Sequence, residues 1–412
     1  MKRILCILTI AAVFLSSNVV TGMELNYDVI NEETATSGDA VIATESEDAG
    51  DTLDLQSQSA ILIEVKSGKV IYEKNADEAL RPASVTKIMT LLLIFDEIEA
   101  GNLSYDDIVT ITEHAASMGG SQCFFEAGEQ QTVKDMIKCI EISSGNDAAV
   151  AMAEHIAGSE EAFVNMMNEK AAELGMVNTH FENACGLEAE GHLTSARDIS
   201  IMSRELLLKH PEITEFSTIW MDHIVHKTAR GESRFDLANT NKFLNQYTGA
   251  TGLKTGYTSQ AKYCMSASAS RNGVDLVAVI MGAETKEIRN SEACRLLDYG
   301  YAKCKTYVDS SVIPDDFEVS VASGVKKHIE YQPIDKMEIV LVDGNPEAIE
   351  KQVLPYEKLE APIHVGDAIG VVQYSYEGTL IDEQIIYSAE DINKITFGYS
   401  FRDLCGRLFM IK

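Results

Sequence analysis

The sequence predicts an α+β domain, in which one antiparallel sheet carries helices, followed by a small all-β domain. Strand-like runs stand at both ends of residues 58–305 with helical patterns between them, and residues 306–390 hold only short strand-like runs. A chain of 412 residues is also long for one domain and comfortable for two.

Met1-Lys2-Arg3 and the apolar run Ile4 to Leu15 form the pattern of a secretory signal peptide over residues 1–22. The run is short for a bilayer span, which favours a cleaved leader over a retained anchor. Val20 and Gly22 place cleavage after Gly22, with Ser16 or Ser17 marking an earlier alternative. Residues 23–57 carry ten Asp or Glu and no Lys or Arg, the composition of a disordered acidic spacer.

From Ser59 the texture changes. Ala60 to Val65 and Val70 to Tyr72 flank Ser67-Gly68 and predict a β-hairpin. Pro82 and Ser84 then open a helix whose apolar run, Ile88 to Phe95, ends at Gly101. That run is apolar nearly all round, so the helix is expected at the centre of the domain. Further helices are expected at Thr132–Ile142, from Asn146 to Gly158, from Ser159 to Gly175 and over Thr194–Lys209. Strands return at Gly252–Gly256, Lys262–Ser270 and Val274–Met281, the last two joined by the hairpin signal Asn272-Gly273. A helix over Lys286–Lys303 closes the domain.

Beyond it, strands are expected at Phe317–Val321, Met337–Val342 and Val365–Val372, ending near Tyr387. In residues 394–412, Phe397, Phe401, Leu404, Leu408 and Ile411 fall on one helical stripe bordered by Arg402, Arg407 and Lys412. This suits a helix lying on an anionic membrane surface, with docking on the β domain as the competing reading.

The net charge of −30 and the lack of a basic stripe argue against nucleic acid as a partner. Outside the leader there are seven cysteines without a C-x-x-C pair, which predicts mostly buried free thiols rather than a disulfide framework.

Three short motifs carry the chemistry: Ser84-Val85-Thr86-Lys87, Ser144-Gly145-Asn146 and Lys254-Thr255-Gly256. Positions i and i+3 of a helix are neighbours, so Ser84 Oγ and Lys87 Nζ are within reach of each other. A serine hydroxyl is a poor nucleophile until a base takes its proton, and Lys87 is that base only when neutral. Burial, its helix N-terminus and a second cation such as Lys254 all push in that direction. By residue type, Ser144 suits proton relay to a leaving amine and Asn146 suits holding Lys87 or a substrate amide. Gly256 suits close approach of a substrate backbone to an edge strand, where Lys254 and Thr255 offer donors to a carboxylate.

The ordered trio resembles S-x-x-K, S-D-N and K-T-G of β-lactamases and penicillin-binding proteins. With Gly145 in the middle of the second motif, Glu113-His114-Ala115-Ala116 and Gly252 to Thr258, the chain is most similar to low-molecular-weight penicillin-binding proteins. These are the D-alanyl-D-alanine carboxypeptidases of serine peptidase family S11, and the likeness is greatest to sporulation-associated Gram-positive members. The resemblance runs from about residue 57 to the end.

It implies a β-lactamase/transpeptidase-like fold over residues 58–305 and removal of the terminal D-Ala from peptidoglycan stem pentapeptides. The acyl-enzyme would form on Ser84, and β-lactams would acylate the same residue. It further implies an oxyanion hole from the backbone N–H groups of Ser84 and Tyr257, and an arginine for the terminal carboxylate. Arg289 is the candidate, with Arg295 as fallback; Thr240 and Asn241 are expected near the site. No cofactor is implied.

Between the second and third motifs the only Leu-Asn pair, Leu244-Asn245, is preceded by Asn241, Lys242 and Phe243 and so lacks the glutamate of the class A β-lactamase deacylation element; efficient β-lactam hydrolysis is not expected. The remaining alternatives are a β-lactamase or transpeptidase on the same scaffold and a non-catalytic wall-binding protein. His223-Ile224-Val225-His226 has loose metal spacing, but a surface strand is the simpler reading. Glu154-His155 and Gly191-His192 stand alone, and no metal site is expected.

Overall fold

The computed structural model describes residues 53–357 and 359–409. The leader, most of the acidic spacer, Ile411 and Lys412 lie outside the described residues. The first strand, β1 (Ser59–Glu64), pairs with β2 (Val70–Lys74) in the expected hairpin. A 3₁₀ turn over Ala83–Thr86 leads into α1 (Lys87–Glu99), and every residue from Lys87 to Phe95 is buried. The helix therefore starts later than the sequence suggests. Ser84 sits on the tighter turn before it.

The next stretch holds β3 (Ile108–Thr110), α2 (Glu113–Ala116), β4 (Gln130–Thr132) and α3 (Val133–Glu141). Then come α4 (Asn146–Ala157), α5 (Glu160–Glu173), α6 (Ala196–Lys209) and α7 (Ile213–Ser217). The starts of α3, α5 and α6 follow side-chain capping. Thr132, Ser159 and Ser195 accept from the N–H groups of Asp135, Ala162 and Asp198 at 3.2, 3.1 and 3.1 Å, each cap contributing about 1 kcal/mol. At the other end of α4, Gly158 takes the left-handed conformation that stops a helix.

A hairpin of β5 (Met221–Thr228) and β6 (Gly231–Ala238) follows, then β7 (Ala250–Thr258), β8 (Lys262–Arg271), β9 (Val274–Ala283) and α8 (Lys286–Lys303). The main sheet is antiparallel in the order β2-β1-β9-β8-β7, which joins the two ends of the domain as expected. Alternation along β1 feeds both faces. Ile61 and Ile63 enter the core with α1, α3, α4 and α6, while Ala60 and Leu62 pack with Ala293, Leu296 and Leu297 of α8. Burying each of these leucine and isoleucine side chains is worth about 1.5–3 kcal/mol. β7 is left at the sheet edge, open on the side that faces the 3₁₀ turn.

The second domain comprises β10 (Cys304–Asp309), β11 (Val321–Ala322), β12 (Met337–Val342), β13 (Ile349–Pro355), β14 (Leu359–Glu360), β15 (Ala368–Tyr376) and β16 (Thr379–Tyr387), then α9 (Phe397–Phe409). Two of the expected strands differ. Most of Phe317–Val321 is irregular, with Phe317 packed edge-on against Tyr331 at 5.6 Å and only Val321–Ala322 in a strand. Val365 to Asp367 form a turn, and the strand begins at Ala368. Lys66 and Lys69 of the first hairpin reach the carbonyls of Glu338 and Val342 at 3.0 and 3.1 Å, tying the β domain to the sheet.

Candidate active site

The three motifs converge on one cavity of about 590 Å³ lined by Ser84, Ser144, Thr240, Thr255, Tyr257 and Arg289, among others. Ser84 is delivered by the 3₁₀ turn, which is braced from below. Thr86 Oγ1 donates to the Ala83 carbonyl at 2.9 Å and lies 2.8 Å from His192 Nε2. His192 Nδ1 accepts from the Glu182 N–H at 3.0 Å, so Nε2 carries the proton and donates to Thr86. Burial pushes His192 down to about 4, keeping it neutral. Gly186 is required here: its φ is +84°, and a Cβ would overlap the Ala83 carbonyl.

Lys87 Nζ lies 3.2 Å from Ser84 Oγ, 2.6 Å from Asn146 Oδ1 and 2.7 Å from the Cys185 carbonyl. Asn146 also donates through Nδ2 to the Gly119 carbonyl at 2.7 Å, which fixes which end of its amide faces Lys87. Its neighbour Asp147 accepts from the N–H groups of Cys123 and Phe124 at 2.9 and 2.8 Å and so shapes the loop carrying Ser121. Burial is the main force on Lys87. Together with Lys254 it outweighs the opposing pull of Cys185 and Asp147 and brings the amine down to about 7. A neutral amine has two N–H bonds and one lone pair. With the N–H bonds given to Asn146 and Cys185, the lone pair is left for the Ser84 hydroxyl.

Ser144 sits in the left-handed region, φ +59°, a conformation that costs of order 1–3 kcal/mol in a non-glycine residue. It is held there by Gly145 N–H donating to Cys139 O at 2.9 Å and Asn146 N–H to Ser121 O at 2.7 Å. Ser144 lines the cavity, and its Oγ has no hydrogen-bond partner among the described residues.

Lys254 and Thr255 are buried, and Thr255 lines the cavity. Gly256 lines it too, but a Cβ there would meet Pro82 O at 2.8 Å and Ser84 N at 3.0 Å. The room made by this glycine is taken by the protein's own backbone, so β7 packs closely against the turn that carries Ser84. Tyr257 is exposed beside it and stacks on Tyr263 at 4.4 Å.

Arg289 lies in the cavity wall, with its guanidinium 5.8 Å from the centre of the Tyr263 ring and Nε donating to Asn290 Oδ1 at 3.0 Å. Arg295 instead donates to the Leu53 carbonyl at 3.0 Å and is absent from the cavity lining. Of the two weaker candidates, Thr240 lines the cavity. Asn241 does not line it, and its Oδ1 accepts from the Phe243 N–H at 3.3 Å.

His226 is buried, not on the surface, with Nδ1 2.8 Å from Glu129 Oε1; His223 is exposed. Among the described residues, Asp96, Glu99 and His210 come close enough to share a metal. Asp96 is already matched, however, by Lys209 at 2.7 Å, His210 at 2.8 Å and Lys170 at 3.1 Å. All seven described cysteines are free thiols.

A buried lysine against a serine on a 3₁₀ turn, facing a second serine and an edge-strand lysine, is the arrangement the motifs imply. Comparison with known proteins identifies its source. The sequence model of peptidase S11, D-alanyl-D-alanine carboxypeptidase, matches residues 43–285, and that of the penicillin-binding protein 5 C-terminal domain matches residues 301–394. The chain belongs to the S11 D-alanyl-D-alanine carboxypeptidases. It is 42% identical to D-alanyl-D-alanine carboxypeptidase DacF of Bacillus subtilis, covering 83% of this chain and 87% of that one. Among solved structures, penicillin-binding protein 5 of Haemophilus influenzae aligns with TM-score 0.62 at 29% identity over 82% of this chain and 98% of that one. Penicillin-binding protein D2 of Listeria monocytogenes, solved in its ampicillin-bound form, aligns with TM-score 0.51 at 28% identity over 60% and 99%. This S11 enzyme thus matches the Bacillus subtilis and Haemophilus influenzae relatives over most of its length and the Listeria monocytogenes structure over a shorter part.

Sequence reasoning missed several contributors. The Cys185 carbonyl is a backbone group with no residue signature. His192 stood alone in sequence because its partners Thr86 and Glu182 meet it only in the fold. The nearest available signal was the apolar setting of Gly186 and Cys185 close to an unassigned histidine.

Proposed function

We propose that this protein removes the terminal D-Ala from peptidoglycan stem pentapeptides through an acyl-enzyme on Ser84, and that β-lactams acylate the same hydroxyl. The contact between Lys87 and Ser84, with the other two directions of the amine occupied, carries the reading.

Ser84 Oγ attacks the carbonyl carbon of the penultimate D-Ala while its proton passes to Lys87 Nζ. The oxyanion is received by the N–H groups of Ser84 and Tyr257, for which the closeness of Gly256 to Ser84 N is the support. As the C–N bond breaks, the proton travels from Lys87 through Ser144 Oγ to the leaving amine. Water then hydrolyses the ester and restores Ser84. Lys254, Thr255 and Arg289 bind the terminal carboxylate, a role that Arg289's place in the cavity wall supports.

Incubation with an acyl-D-Ala-D-Ala peptide between about pH 5 and 9 tests the activity. Stoichiometric release of D-Ala, lost in Ser84→Ala, is the expected result. No release at any pH contradicts the reading.

The enzyme works outside the cytoplasm, held to the anionic membrane surface by α9. In support, Phe397, Phe401, Leu404 and Leu408 are all more than half exposed, with Phe397 at 87%. The start of the helix is tied to the β domain through Ile395 N–H to Ser323 O at 2.7 Å and Tyr399 OH to Val325 O at 3.3 Å. No described helix is long and apolar enough to cross a membrane. Deleting residues 394–412 should move the protein to the soluble fraction; unchanged membrane association excludes the anchor.

A further inference from the structure

The guanidinium of Arg289 is held from behind by the residue that follows it in the chain. Arg289 and Asn290 stand early in α8 and are both buried, at 7% and 9% exposed. Arg289 Nε donates to Asn290 Oδ1 at 3.0 Å, and Asn290 Nδ2 donates to Gln246 Oε1 at 2.7 Å. A guanidinium only donates, so the first bond fixes which end of the Asn290 amide is oxygen and turns its nitrogen toward Gln246. All three side chains belong to the wall of the cavity.

The far end of this run of bonds is anchored. Gln246 closes the 3₁₀ turn Lys242–Asn245, its own N–H donating to the Phe243 carbonyl at 2.9 Å. Phe243 is fully buried and stacks on Tyr247 with ring centres 5.3 Å apart. The turn stands between Thr240 and β7, so the bonds join the start of α8 to the segment that leads into Lys254.

Two features suit the arrangement to holding a charge in place without cancelling it. With Nε given to Asn290, the edge formed by Nη1 and Nη2 keeps its two parallel N–H bonds, the geometry that grips a carboxylate through both oxygens. The partner is also an uncharged amide, whereas a carboxylate at position 290 would hold the guanidinium and neutralise it. Among the described residues no acid forms an ion pair with Arg289; Glu287, two positions earlier, lies 3.7 Å from Lys286 instead. A buried cation without a counter-ion is costly, and a substrate carboxylate offsets that cost.

We propose that Asn290 is a positioning residue for the carboxylate pocket: anchored by Gln246, its amide fixes the Arg289 guanidinium so that the Nη edge meets the terminal carboxylate of the peptide. This rests on the reading of Arg289 as a carboxylate-binding residue. Asn290 acts through Arg289 alone, so its effect should vanish when the guanidinium is gone. An asparagine that merely joined α8 to the turn would weaken the enzyme equally with or without Arg289.

The test is a double-mutant cycle on kcat and KM for D-Ala release from an acyl-D-Ala-D-Ala peptide. Full-length wild type, Asn290→Leu, Arg289→Ala and the variant carrying both changes are compared, each shown to be folded by thermal unfolding. Leu is close to Asn in size and neither donates nor accepts. Asn290→Leu should lower kcat/KM about tenfold, the scale of one charge-assisted hydrogen bond. The loss should fall on KM, with kcat within about twofold of wild type, because the carboxylate is held alike in the ground and transition states. Added to Arg289→Ala, it should change nothing further. Gln246→Ala, at an exposed position, removes the anchor alone. It should raise KM about threefold, the scale of one neutral hydrogen bond, and this effect too should disappear in the Arg289→Ala background. Wild-type kinetics in Asn290→Leu, or in Gln246→Ala should the first variant not fold, overturn the proposal. So does a loss confined to kcat, or one of equal size with and without Arg289. If Arg289→Ala itself behaves like wild type, Arg289 is not the carboxylate-binding group, and the proposal falls together with the reading beneath it.

Discussion

Lys87 Nζ stands 3.2 Å from Ser84 Oγ, and its other two directions are taken by Asn146 Oδ1 and the Cys185 carbonyl. The amine is thus oriented as a proton acceptor before any substrate arrives. This geometry distinguishes a base from a mere positive charge. Lys87→Arg, which stays cationic at any working pH, should lose about 10²–10⁴ in acylation rate, much as Lys87→Ala does. An Arg variant that acylates at the wild-type rate would make the charge, and not the lone pair, the active property.

The same amine sets the acidic limb of the pH profile. Lys87 is active when neutral, and burial has brought it to about 7. Protonation below that pH removes the base, so kcat/KM for D-Ala release should fall about tenfold per unit as pH drops below 7. A profile flat down to about pH 5 would assign the base to a carboxylate.

Asn146→Ala removes two contacts at once, the one to Lys87 and the one to the Gly119 carbonyl. Each is worth about 1 kcal/mol to stability, which corresponds to a melting temperature lowered by roughly 4–8 °C in a domain of this size. The loss in kcat should be larger, about 10²-fold, because Lys87 can turn away from Ser84. KM should change little, since Asn146 does not line the cavity. A rise in KM with kcat intact would place Asn146 on the substrate instead.

Gly256→Ala examines the oxyanion hole. The added methyl group meets Ser84 N at 3.0 Å and Pro82 O at 2.8 Å, so the strand and the turn must separate. A misplaced oxyanion donor costs about 10²–10³ in kcat. Thermal unfolding should show a folded protein with a modest loss of stability. Unchanged turnover would mean that the Ser84 N–H takes no part.

Much of this was legible in the sequence because it is local. Ser84 with Lys87, the hairpin at Asn272-Gly273 and the α3 stripe each follow from spacing within one element. The β5–β6 hairpin was not. Its strands alternate poorly, most residues of β6 being exposed, and no turn signal stronger than Arg230-Gly231 marks it. The Phe317–Val321 run alternates well but packs through Phe317 onto Tyr331 instead of pairing along its length. Gly256 was assigned to substrate approach because sequence cannot tell a ligand's backbone from the protein's own.

Arg289 and Arg295 differ in what they face, and this gives a paired test. Arg289→Ala should lower kcat/KM for carboxylate-bearing substrates by roughly 10–100-fold, the worth of a charge-assisted hydrogen bond. Arg295→Ala should leave it unchanged, because that guanidinium binds the Leu53 carbonyl at the surface. Equal effects of the two would remove Arg289 from the carboxylate pocket.

The central claim is that Ser84 is the nucleophile, and the most direct measurement is the mass of the protein after brief exposure to benzylpenicillin, followed by peptide mapping. The adduct should equal one intact penicillin, map to the peptide containing Ser84 and be absent from Ser84→Ala. An adduct on another residue, or one that persists in Ser84→Ala, would contradict the mechanism.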